Sequence, residues 1–561
     1  MPAGKKGQLE QFIVVINSDM QPRISRIPGK VAKRCLWVPL DNSGFSEYSL
    51  ALDDKSGRKD LKLVIKPRAL SLLTKVGNLL AEQNVPAYLV GGFVRDALLG
   101  RDTADIDIAV ASDALEIAPR VATALGGKYV LLDEVNRVGR VVVADDGTPL
   151  TGGRWELDLS TFEGSVEQDL ARRDFTIDAI AIDLSRLAKD YTDVRLVDPF
   201  NGWNDLDQGV IRVVAETAFE SDAVRLLRAV RLAAELSFSI DSQTEALLRR
   251  YSCLMANVAG ERVREELLRL LAISQAEYFL PYLDELGLLT AMIPEMAEMK
   301  GVTQPREHFW NVFDHSIQTV AAVDFVLRRG AWQYAGEEVL AATPWSAVLA
   351  DYFDLKVSSG STRRLLLKLA ALLHDVAKPQ TRAVDAAGRT RFLGHAKEGA
   401  AKAVNILQRL RFSAKEVRLV ELMVRHHLRP VQMSHNGYPS RRAMYRYFRD
   451  TADAGIDILF LSLADHLATR GPHLNLAHWR NHTQLVEYVL AQHFQEEALV
   501  APPKLVNGHD LINIFGMRPG PRIGQLLEAV REAQASGEVA TREEALSYIR
   551  ERLTIKECKK I

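Results

Sequence analysis

Two aspartates lie at a spacing that could bind a metal ion. Asp105 and Asp107 are two residues apart at the start of a predicted strand. Side chains alternate across a strand, so both carboxylates are expected on one face, where they repel each other. Mg²⁺ held by such carboxylates and by substrate phosphates relieves the repulsion. A later predicted strand, Trp155–Ser160, offers Glu156 or Asp158 as a third ligand. Taken alone, the first pair also fits a solvated strand edge.

A glycine pair precedes these aspartates. Gly91 and Gly92 stand between a predicted strand and a predicted helix, where glycines let a phosphate approach the backbone. Arg95 follows one turn later and could donate to a phosphate oxygen. The alternative is a tight turn with a surface arginine.

A second set of potential metal ligands lies in the C-terminal half. His374 and Asp375 follow a predicted apolar helix, Leu365–Leu373, and adjacent imidazole and carboxylate groups at a helix end can bind one ion. A lone histidine is more often a core or surface residue, so the ordered set carries more weight than any member. The other candidates are His315, His395, His426, His427 and Asp465.

Composition excludes several classes of protein. At roughly 150 residues per domain, the 561 residues predict about three or four domains. Hydrophobic residues are 47% and charged residues 25%, which is typical of a globular protein and excludes collagen or a wholly disordered chain. Lys plus Arg number 71 and Asp plus Glu 72, so binding of nucleic acid through bulk positive charge is not expected.

Cysteine content and hydropathy indicate the compartment. The three cysteines, Cys35, Cys253 and Cys558, are far apart and support neither a disulfide framework nor a cysteine zinc site. Residues 1–10 contain two lysines with no apolar core behind them, which is not the pattern expected of a signal peptide, and no uncharged apolar run of about 18 residues occurs. We therefore expect a cytoplasmic protein with no membrane span.

The elements that position these residues predict an α+β fold. Strands and helices alternate from Pro67 to about residue 214, and long amphipathic helices follow. A separate strand, Phe12–Ile16, is predicted near the start. The predicted domains are an N-terminal extension of unknown role (1–66), a mixed α/β head (67–214), a helical neck (215–300), an all-α body (301–475) and a C-terminal helical region (476–561).

Four ordered motifs resemble those of the class II tRNA nucleotidyltransferase and bacterial poly(A) polymerase family. Together they span about residues 67 to 240, and four in order are far more specific than one. They are Tyr88–Asp96 with Asp105-Ile-Asp107, Asp169–Ala179, Asp198–Gly202 with Ile211-Arg212, and Ser221–Arg231. The resemblance implies a polymerase-β-like head that transfers nucleotides from CTP and ATP to the tRNA 3′ end with Mg²⁺.

The resemblance also implies roles for single residues. Asp105 and Asp107 match the metal-binding pair, and Asp158 is preferred to Glu156 as the third carboxylate. Asp222 and Arg225 match the pair that reads the base, and a spacing of three on a helix would place them on one face. The positions that match nucleotide contacts are Gly91, Gly92, Arg95, Arg173, Arg228 and Arg231.

Three departures from the family pattern bear on specificity. Ser221 stands where the family usually has Glu, and Asp178 stands where it usually has Asn. Only Glu-Gly-Ser-Val separates Phe162 from Glu167, where many CCA-adding relatives carry a long flexible loop that CC-adding relatives lack. We therefore expect addition of CCA or of CC alone. An A-adding enzyme and a poly(A) polymerase are the alternatives.

Residues 305 to 475 resemble the HD phosphohydrolase superfamily. His315, His374, Asp375 and Asp465 match its basic metal ligands, and the extra histidines resemble those of members with two metals. Mg²⁺, Mn²⁺, Fe²⁺, Ni²⁺ or Co²⁺ suits such ligands. The resemblance implies hydrolysis of a phosphate ester, such as a 2′,3′-cyclic phosphate, with Lys378 steadying the phosphoryl group. A structural metal site is the alternative.

Two other functions compete with a tRNA nucleotidyltransferase. One is a metal-dependent phosphohydrolase whose transferase head is inactive, and the other is a non-catalytic RNA-binding protein. The complete sets of acidic and histidine ligands argue against both.

The C-terminal region is predicted to bind RNA. Basic and aromatic residues alternate in the predicted helix Ser440–Asp450 and could grip phosphates and stack on bases, although an amphipathic surface helix fits equally well. Asn507–Asp510 and Pro519–Gly524 precede a helix and could hold an RNA phosphate.

Overall fold

A computed structural model describes residues 48–52, 61–144, 154–189, 196–274, 276–358, 360–433, 437–495 and 504–557. The predicted strand Phe12–Ile16 and most of the predicted N-terminal extension lie outside these residues, as do Cys35 and Cys558. Two short strands, β1 (Tyr48–Leu52) and β2 (Leu61–Ile65), pair antiparallel ahead of the head.

The head contains a seven-stranded mixed sheet. Its strands are β3 (Ala87–Val90), β4 (Asp105–Val110), β5 (Lys128–Asp133), β6 (Val138–Ala144), β7 (Arg154–Thr161), β8 (Ala181–Asp183) and β9 (Leu196–Val197). Their order across the sheet is β5-β6-β7-β4-β3-β8-β9. β4 and β7 run parallel, and the other five pairings are antiparallel. The predicted strands of the head are confirmed, and β8 and β9 are additions to them.

Alternation along β4 builds both the core and the acidic face. Ile106 and Ile108 are 1% and 0% exposed, whereas Asp105 is exposed and Asp107 is half-buried on the opposite face. Helix packing covers the apolar side, as expected for a sheet with one buried face. The helices of the head are α1 (Pro67–Glu82), α2 (Gly92–Leu98), α3 (Ala114–Leu125), α4 (Val166–Leu170), α5 (Leu184–Lys189) and α6 (Gly202–Gln208).

The neck is helical, as predicted. A short parallel pair, β10 (Val210–Ile211) with β11 (Ser239–Ile240), links it to the head. Its helices are α7 (Ala218–Ser221), α8 (Arg225–Leu236), α9 (Ser242–Tyr251), α10 (Gly260–Ala272), α11 (Ala276–Glu285) and α12 (Leu288–Met292).

The body consists of helices with two small antiparallel strand pairs, β12 (Lys356–Ser358) with β13 (Ser361–Thr362) and β14 (Arg382–Val384) with β15 (Thr390–Phe392). Its helices are α13 (Val312–Val326), α14 (Glu337–Ala341), α15 (Ala347–Asp354), α16 (Arg363–Leu373), α17 (Lys378–Thr381), α18 (His395–Arg409), α19 (Ala414–His426), α20 (Arg429–Met433), α21 (Arg441–Thr451), α22 (Gly455–Arg470) and α23 (Leu476–Gln495).

The C-terminal helices have a core of their own. α24 (Gly508–Phe515), α25 (Pro521–Ala535) and α26 (Arg542–Glu557) enclose Leu511, Val530 and Ile549. By contrast, Trp479 and Val486 of α23 belong to the core of the body. Within the described ranges, no helix is both long and apolar enough to cross a bilayer. The cytoplasmic location stays a prediction.

A buried ion pair fixes α13 against α16. Lys368 Nζ lies 2.6 Å from Asp324 Oδ2, and the two side chains are 1% and 5% exposed. Lys368 Nζ also donates to Ile273 O at 3.3 Å, but Asp324 is its only charged partner within ion-pair distance among the described residues. Because α13 carries His315 and His374 directly follows α16, this pair joins the two helices that position two predicted metal ligands.

Replacement of Lys368 tests this role. Lys368→Ala leaves the Asp324 carboxylate buried without its partner and should lower the free energy of unfolding by about 3–5 kcal/mol, measured by urea denaturation. Lys402→Ala is the matched control, because its pair with Glu298 is more exposed and should contribute less than about 1 kcal/mol. Equal, small losses in both variants would contradict a structural role for the buried pair.

Candidate catalytic carboxylates and candidate metal centre

Four carboxylates share one face of the head sheet. In the parallel ladder between β4 and β7, Asp105 lies opposite Glu156 and Asp107 lies opposite Asp158. Side chains of opposed residues project to the same side of a sheet. Asp105 and Asp107, the predicted metal ligands on β4, therefore lie beside Glu156 and Asp158, the two candidates for the third carboxylate.

Burial and crowding oppose ionisation of these groups. Burial raises the pKa of Asp107 to about 6; the Arg173 guanidinium opposes this rise, and the Asp158 and Asp105 carboxylates add to it. Burial, followed by the Glu156 carboxylate, also raises the pKa of Asp105. A divalent cation on this face would favour the ionised forms, so the donor set fits Mg²⁺.

An arginine that was not predicted as a site residue holds the third carboxylate. Arg140 of β6 lies opposite Asp158 and donates to both of its oxygens, with Nε–Oδ1 at 2.7 Å and Nη2–Oδ2 at 2.8 Å. Its Nη1 also donates to Glu156. The pairing turns Asp158 toward β6, and Asp105, Asp107 and Asp158 do not form a group with ligand atoms all within 4.8 Å. Alternation along β6 was the one available sequence signal for Arg140.

The glycine turn lies against the acidic face. Gly91 has φ +69°, and a Cβ there would come within 2.7 Å of Arg173 Nη1 and 3.1 Å of Asp107 Oδ2. Glycine is therefore required both by the backbone conformation and by the close approach. Arg173 has hydrogen-bonding capacity to spare, because its Nε is buried without a partner and its Nη2 lies 3.3 Å from Asp169.

The other three predicted nucleotide-contacting arginines are engaged by carboxylates. Arg95 Nη1 donates to Asp178 at 2.8 Å, and its Nε and Nη2 donate to Asp96. The Asp178 that replaces the family's usual Asn is thus a partner of Arg95. Arg228 binds Asp174 and Glu266, and Arg231 binds Glu266 and Glu235. These pairs occupy the guanidinium groups in the structure.

The predicted base-reading pair is not arranged as expected. Asp222 lies outside a helix, in extended backbone after α7, so the expectation that Asp222 and Arg225 share a helix face is wrong. Arg262 of α10 binds both Asp222 oxygens at 2.8 Å, whereas Arg225 Nε is 4.0 Å from Asp222. Arg225 instead donates to backbone Arg172 O at 2.9 Å. The sequence did not predict Arg262 as a partner of Asp222, because no local pattern connects α10 with the turn between α7 and α8.

Six of the seven ligands predicted in the body converge. They form two groups, each with ligand atoms within 4.8 Å of one another. The members come from α13, α18 and α22 and from the residues that follow α16 and α19. One group is His315, His374 and Asp465, and the other is Asp375, His395 and His427.

Asp375 lies between the two groups. Its Oδ2 is 3.1 Å from His374 Nε2 and 3.5 Å from His315 Nε2, while its Oδ1 is 3.5 Å from His395 Nε2. Lys378 Nζ lies 2.6 Å from Asp375 Oδ2, where it balances the buried negative charge. One carboxylate that reaches both groups could bridge a pair of metal ions.

Backbone carbonyl groups orient the imidazoles. Nδ1 of His374, His395 and His427 lies 2.7, 2.6 and 2.8 Å from the carbonyl oxygens of Ala371, Phe392 and Val424. Protonation at Nδ1 leaves Nε2 with a lone pair facing the centre, and metal-binding histidines usually donate their other ring N–H to a carbonyl or carboxylate group in this way.

The inward-facing nitrogens are crowded. His315 Nε2 is 3.2 Å from His374 Nε2, and His395 Nε2 is 3.4 Å from His427 Nε2. Burial lowers the pKa of His427 to about 3, so this ring is neutral and able to bind a metal at neutral pH. Facing lone pairs repel unless a cation lies between them, and the donor set therefore fits two divalent metal ions.

His426 is the predicted ligand that the structure does not bring to the cluster. It is half-buried at the end of α19, while the next residue, His427, is 2% exposed and turned inward. Successive residues at a helix end point in different directions, and the sequence could not tell which histidine faces inward. His308 was missed, although its ring centroid lies 5.5 Å from that of His315.

The arginines of α21 hold the C-terminal helices. Arg442 and Arg446 pair with Glu532 of α25, and Arg449 pairs with Glu528. Tyr445 and Tyr447 are 3% and 0% exposed, so neither offers a ring for base stacking. The structure thus favours an interface between helices over the predicted grip on RNA phosphates.

Comparison with known proteins identifies similarity over the head, the neck and the body. Residues 87–212 match the poly A polymerase head domain, 237–300 match the probable RNA and SrmB binding site of polymerase A, and 343–470 match the HD domain. The A-adding tRNA nucleotidyltransferase of Deinococcus radiodurans is 35% identical over 82% of this chain and 94% of that protein. The CC-adding tRNA nucleotidyltransferase of Thermus thermophilus is 33% identical over 82% and 93%.

A solved structure supports the fold. The Thermotoga maritima CCA-adding enzyme complexed with tRNA aligns with a TM-score of 0.52 and 23% identity, covering 87% of this chain and 96% of that one. At this identity the likeness establishes the arrangement of elements alone.

The two adjacent histidines test the metal centre. His427→Ala removes an inward-facing nitrogen and should weaken Co²⁺ binding at least about tenfold, followed by the visible absorption of nitrogen-bound cobalt. His426→Ala is the matched control and should leave the affinity within about twofold. Equal loss in the two variants, or none in either, would contradict the assigned cluster.

Proposed function

The chain belongs to the class II tRNA nucleotidyltransferase family, and from that premise we propose that it adds the two cytidines of the tRNA 3′ end, taken from CTP. It is an enzyme that depends on divalent metal ions and extends tRNA 3′ ends from CTP or ATP. The relatives that it matches over most of their length each add part of the CCA sequence.

The short link after β7 supports addition of CC alone. Residues 163–165 separate Phe162 from α4, and Ser165 caps α4 through a reciprocal capping box with Gln168. The strand therefore passes directly into a fixed helix, without the long loop typical of many CCA-adding family members. The extension test below distinguishes addition of CC from addition of A alone, of complete CCA or of poly(A).

The acidic face is the proposed catalytic site. Asp105 and Asp107 would hold Mg²⁺, joined by Asp158 once it is released from Arg140, and the metal would supply activation of the RNA hydroxyl and stabilisation of charge on the departing pyrophosphate. The tRNA 3′ oxygen forms a bond to the α-phosphorus of CTP as the bond to pyrophosphate breaks. The missing side chain at Gly91 lets the Arg173 guanidinium lie close to Asp107, and this guanidinium would bind the triphosphate beside the metal.

Asp222 and Arg225 are the proposed base readers. The carboxylate of Asp222 can accept from the exocyclic amino group of cytosine or adenine, and Arg225 can donate to the adjacent ring nitrogen. Uracil and guanine present the opposite pattern and would leave both groups unpaired. In the structure Arg262 holds Asp222, so a bound base would compete with Arg262 for this carboxylate.

Extension of defined tRNAs tests the transferase proposal. With labelled CTP and ATP, we expect two cytidines on tRNA that lacks CCA and no adenosine on tRNA that ends in CC. Asp107→Asn should reduce incorporation by about a hundredfold or more, because it removes a charged ligand. Asp207→Asn, at an exposed site on α6, is the control and should retain activity. Incorporation of A, or full activity of Asp107→Asn, would contradict the proposal.

A specific observation favours a second activity in the body. The six clustered ligands, with Asp375 in reach of both groups, support a metal-dependent phosphohydrolase of the HD type, for which Mn²⁺, Ni²⁺ or Co²⁺ would be suitable ions. His315, His374 and Asp465 would hold one ion and His395 and His427 the other, where bound metal supplies an activated water. Lys378, which donates to Gln304 at 2.6 Å beside Asp375, would steady a phosphoryl group.

Hydrolysis of a nucleoside 2′,3′-cyclic phosphate tests this second proposal. The full chain should hydrolyse it with Mn²⁺, Ni²⁺ or Co²⁺, and His374→Ala should abolish hydrolysis while CC addition continues. A protein that binds these metals and hydrolyses nothing would instead identify the cluster as a structural metal site.

A further inference from the structure

A row of arginines on α21 faces a row of glutamates on the C-terminal helices. Arg442, Arg446 and Arg449 are spaced by four and three residues, which places them on one face of α21. Glu528 and Glu532 are spaced by four residues and share a face of α25. Two surfaces of opposite charge therefore meet along these two helices.

Each of the three arginines is paired with a glutamate. Arg442 Nε lies 3.2 Å from Glu532 Oε1, and Arg449 Nη1 lies 2.9 Å from Glu528 Oε1. Arg446 also binds Glu532, so this one carboxylate receives two guanidinium groups. The three arginine side chains remain 36%, 51% and 35% exposed in chain order, so the pairs lie at the rim of the interface. Exposed ion pairs contribute little stability and weaken further as salt screens them.

The apolar part of this interface is small. Met444, Tyr445 and Ala535 form a cluster of buried residues there, with Tyr488 packed against it. The C-terminal helices have their main core elsewhere, around Leu511, and it is separate from the core of the body. These helices can therefore leave α21 without exposing that core, and their attachment depends largely on charge.

The carboxylates of α25 occupy the positions that phosphates would take on α21. A guanidinium group binds carboxylate and phosphate oxygens with the same donor geometry. We propose that the arginine row of α21 is a binding surface for the tRNA backbone, masked by the glutamates of α25 and uncovered when tRNA phosphates displace the C-terminal helices. A polyanion presents several charges on one molecule, whereas each ion pair at the rim is weak.

This surface would position the tRNA without reading its sequence. Contacts to phosphates fix the register and orientation of a nucleic acid and contain no base information. The inference needs only tRNA as the substrate, so it stands whether the head adds C or A. Docked C-terminal helices and a tRNA bound along α21 are then alternative states of the same arginines.

Removal of the glutamate charges tests the masking. Glu528→Gln with Glu532→Gln in the full chain should bind labelled tRNA that lacks CCA at least about fivefold more tightly at low salt, measured by fluorescence anisotropy. The affinity should also fall more steeply with salt, because more phosphates are neutralised. Addition of Arg446→Gln to this pair should remove the gain.

A matched pair of substitutions controls for the change in net charge. Glu543→Gln with Glu551→Gln removes the same two charges from exposed positions on α26 and should leave the affinity within about twofold. Equal affinity of the two glutamine pairs, or a gain that survives Arg446→Gln, would overturn the proposal.

Carboxylate labelling tests the displacement without any substitution. Carbodiimide coupling of an amine, followed by mass spectrometry, should modify Glu528 and Glu532 at least about twofold faster when tRNA is bound, because their guanidinium partners have left them. Glu543 is the internal reference and should react at an unchanged rate. Labelling of Glu528 and Glu532 that tRNA leaves unchanged, or slows, would show that the C-terminal helices stay on α21 and would overturn the proposal.

Discussion

Parallel pairing of β4 with β7 forces four carboxylates onto one face of the head sheet, and their repulsion is the constraint on which the head depends. The surrounding residues reduce that repulsion from two sides. Arg140 binds the pair on β7, and Arg173 lies across Gly91 next to Asp107. Neither guanidinium group makes a hydrogen bond to Asp105 or Asp107, so a divalent cation on this face would relieve the remaining repulsion.

In the body, imidazole groups make up most of the clustered ligands. Three imidazoles are turned inward by backbone carbonyl groups, and burial keeps His427 uncharged. Asp375 and Asp465 supply the negative charge. An oxygen-rich face suits a hard ion that also binds triphosphate, whereas a nitrogen-rich cluster suits transition metals. The two donor sets therefore suit different ions, as the two proposed activities would require.

Periodicity predicted the elements and most of the ligands, but not the partners that come from distant elements. The strands of the head were readable because Asp105 and Asp107 alternate with buried isoleucines. Arg140 and Arg262 could not be predicted as partners, because pairing between strands and packing of α10 join residues far apart in the chain. The choice between His426 and His427 depends on rotation at a helix end, and the role of the α21 arginines depends on α25 docking. Local sequence patterns contain information on neither the rotation at the helix end nor the docking of α25.

Diffraction from a crystal of the full chain soaked with Mn²⁺ and CTP tests the central claim most directly, because anomalous scattering locates the ion. The account predicts manganese bound to Asp105 and Asp107, with the CTP triphosphate beside Gly91. Manganese confined to the histidine cluster, or CTP bound away from β4, would contradict it.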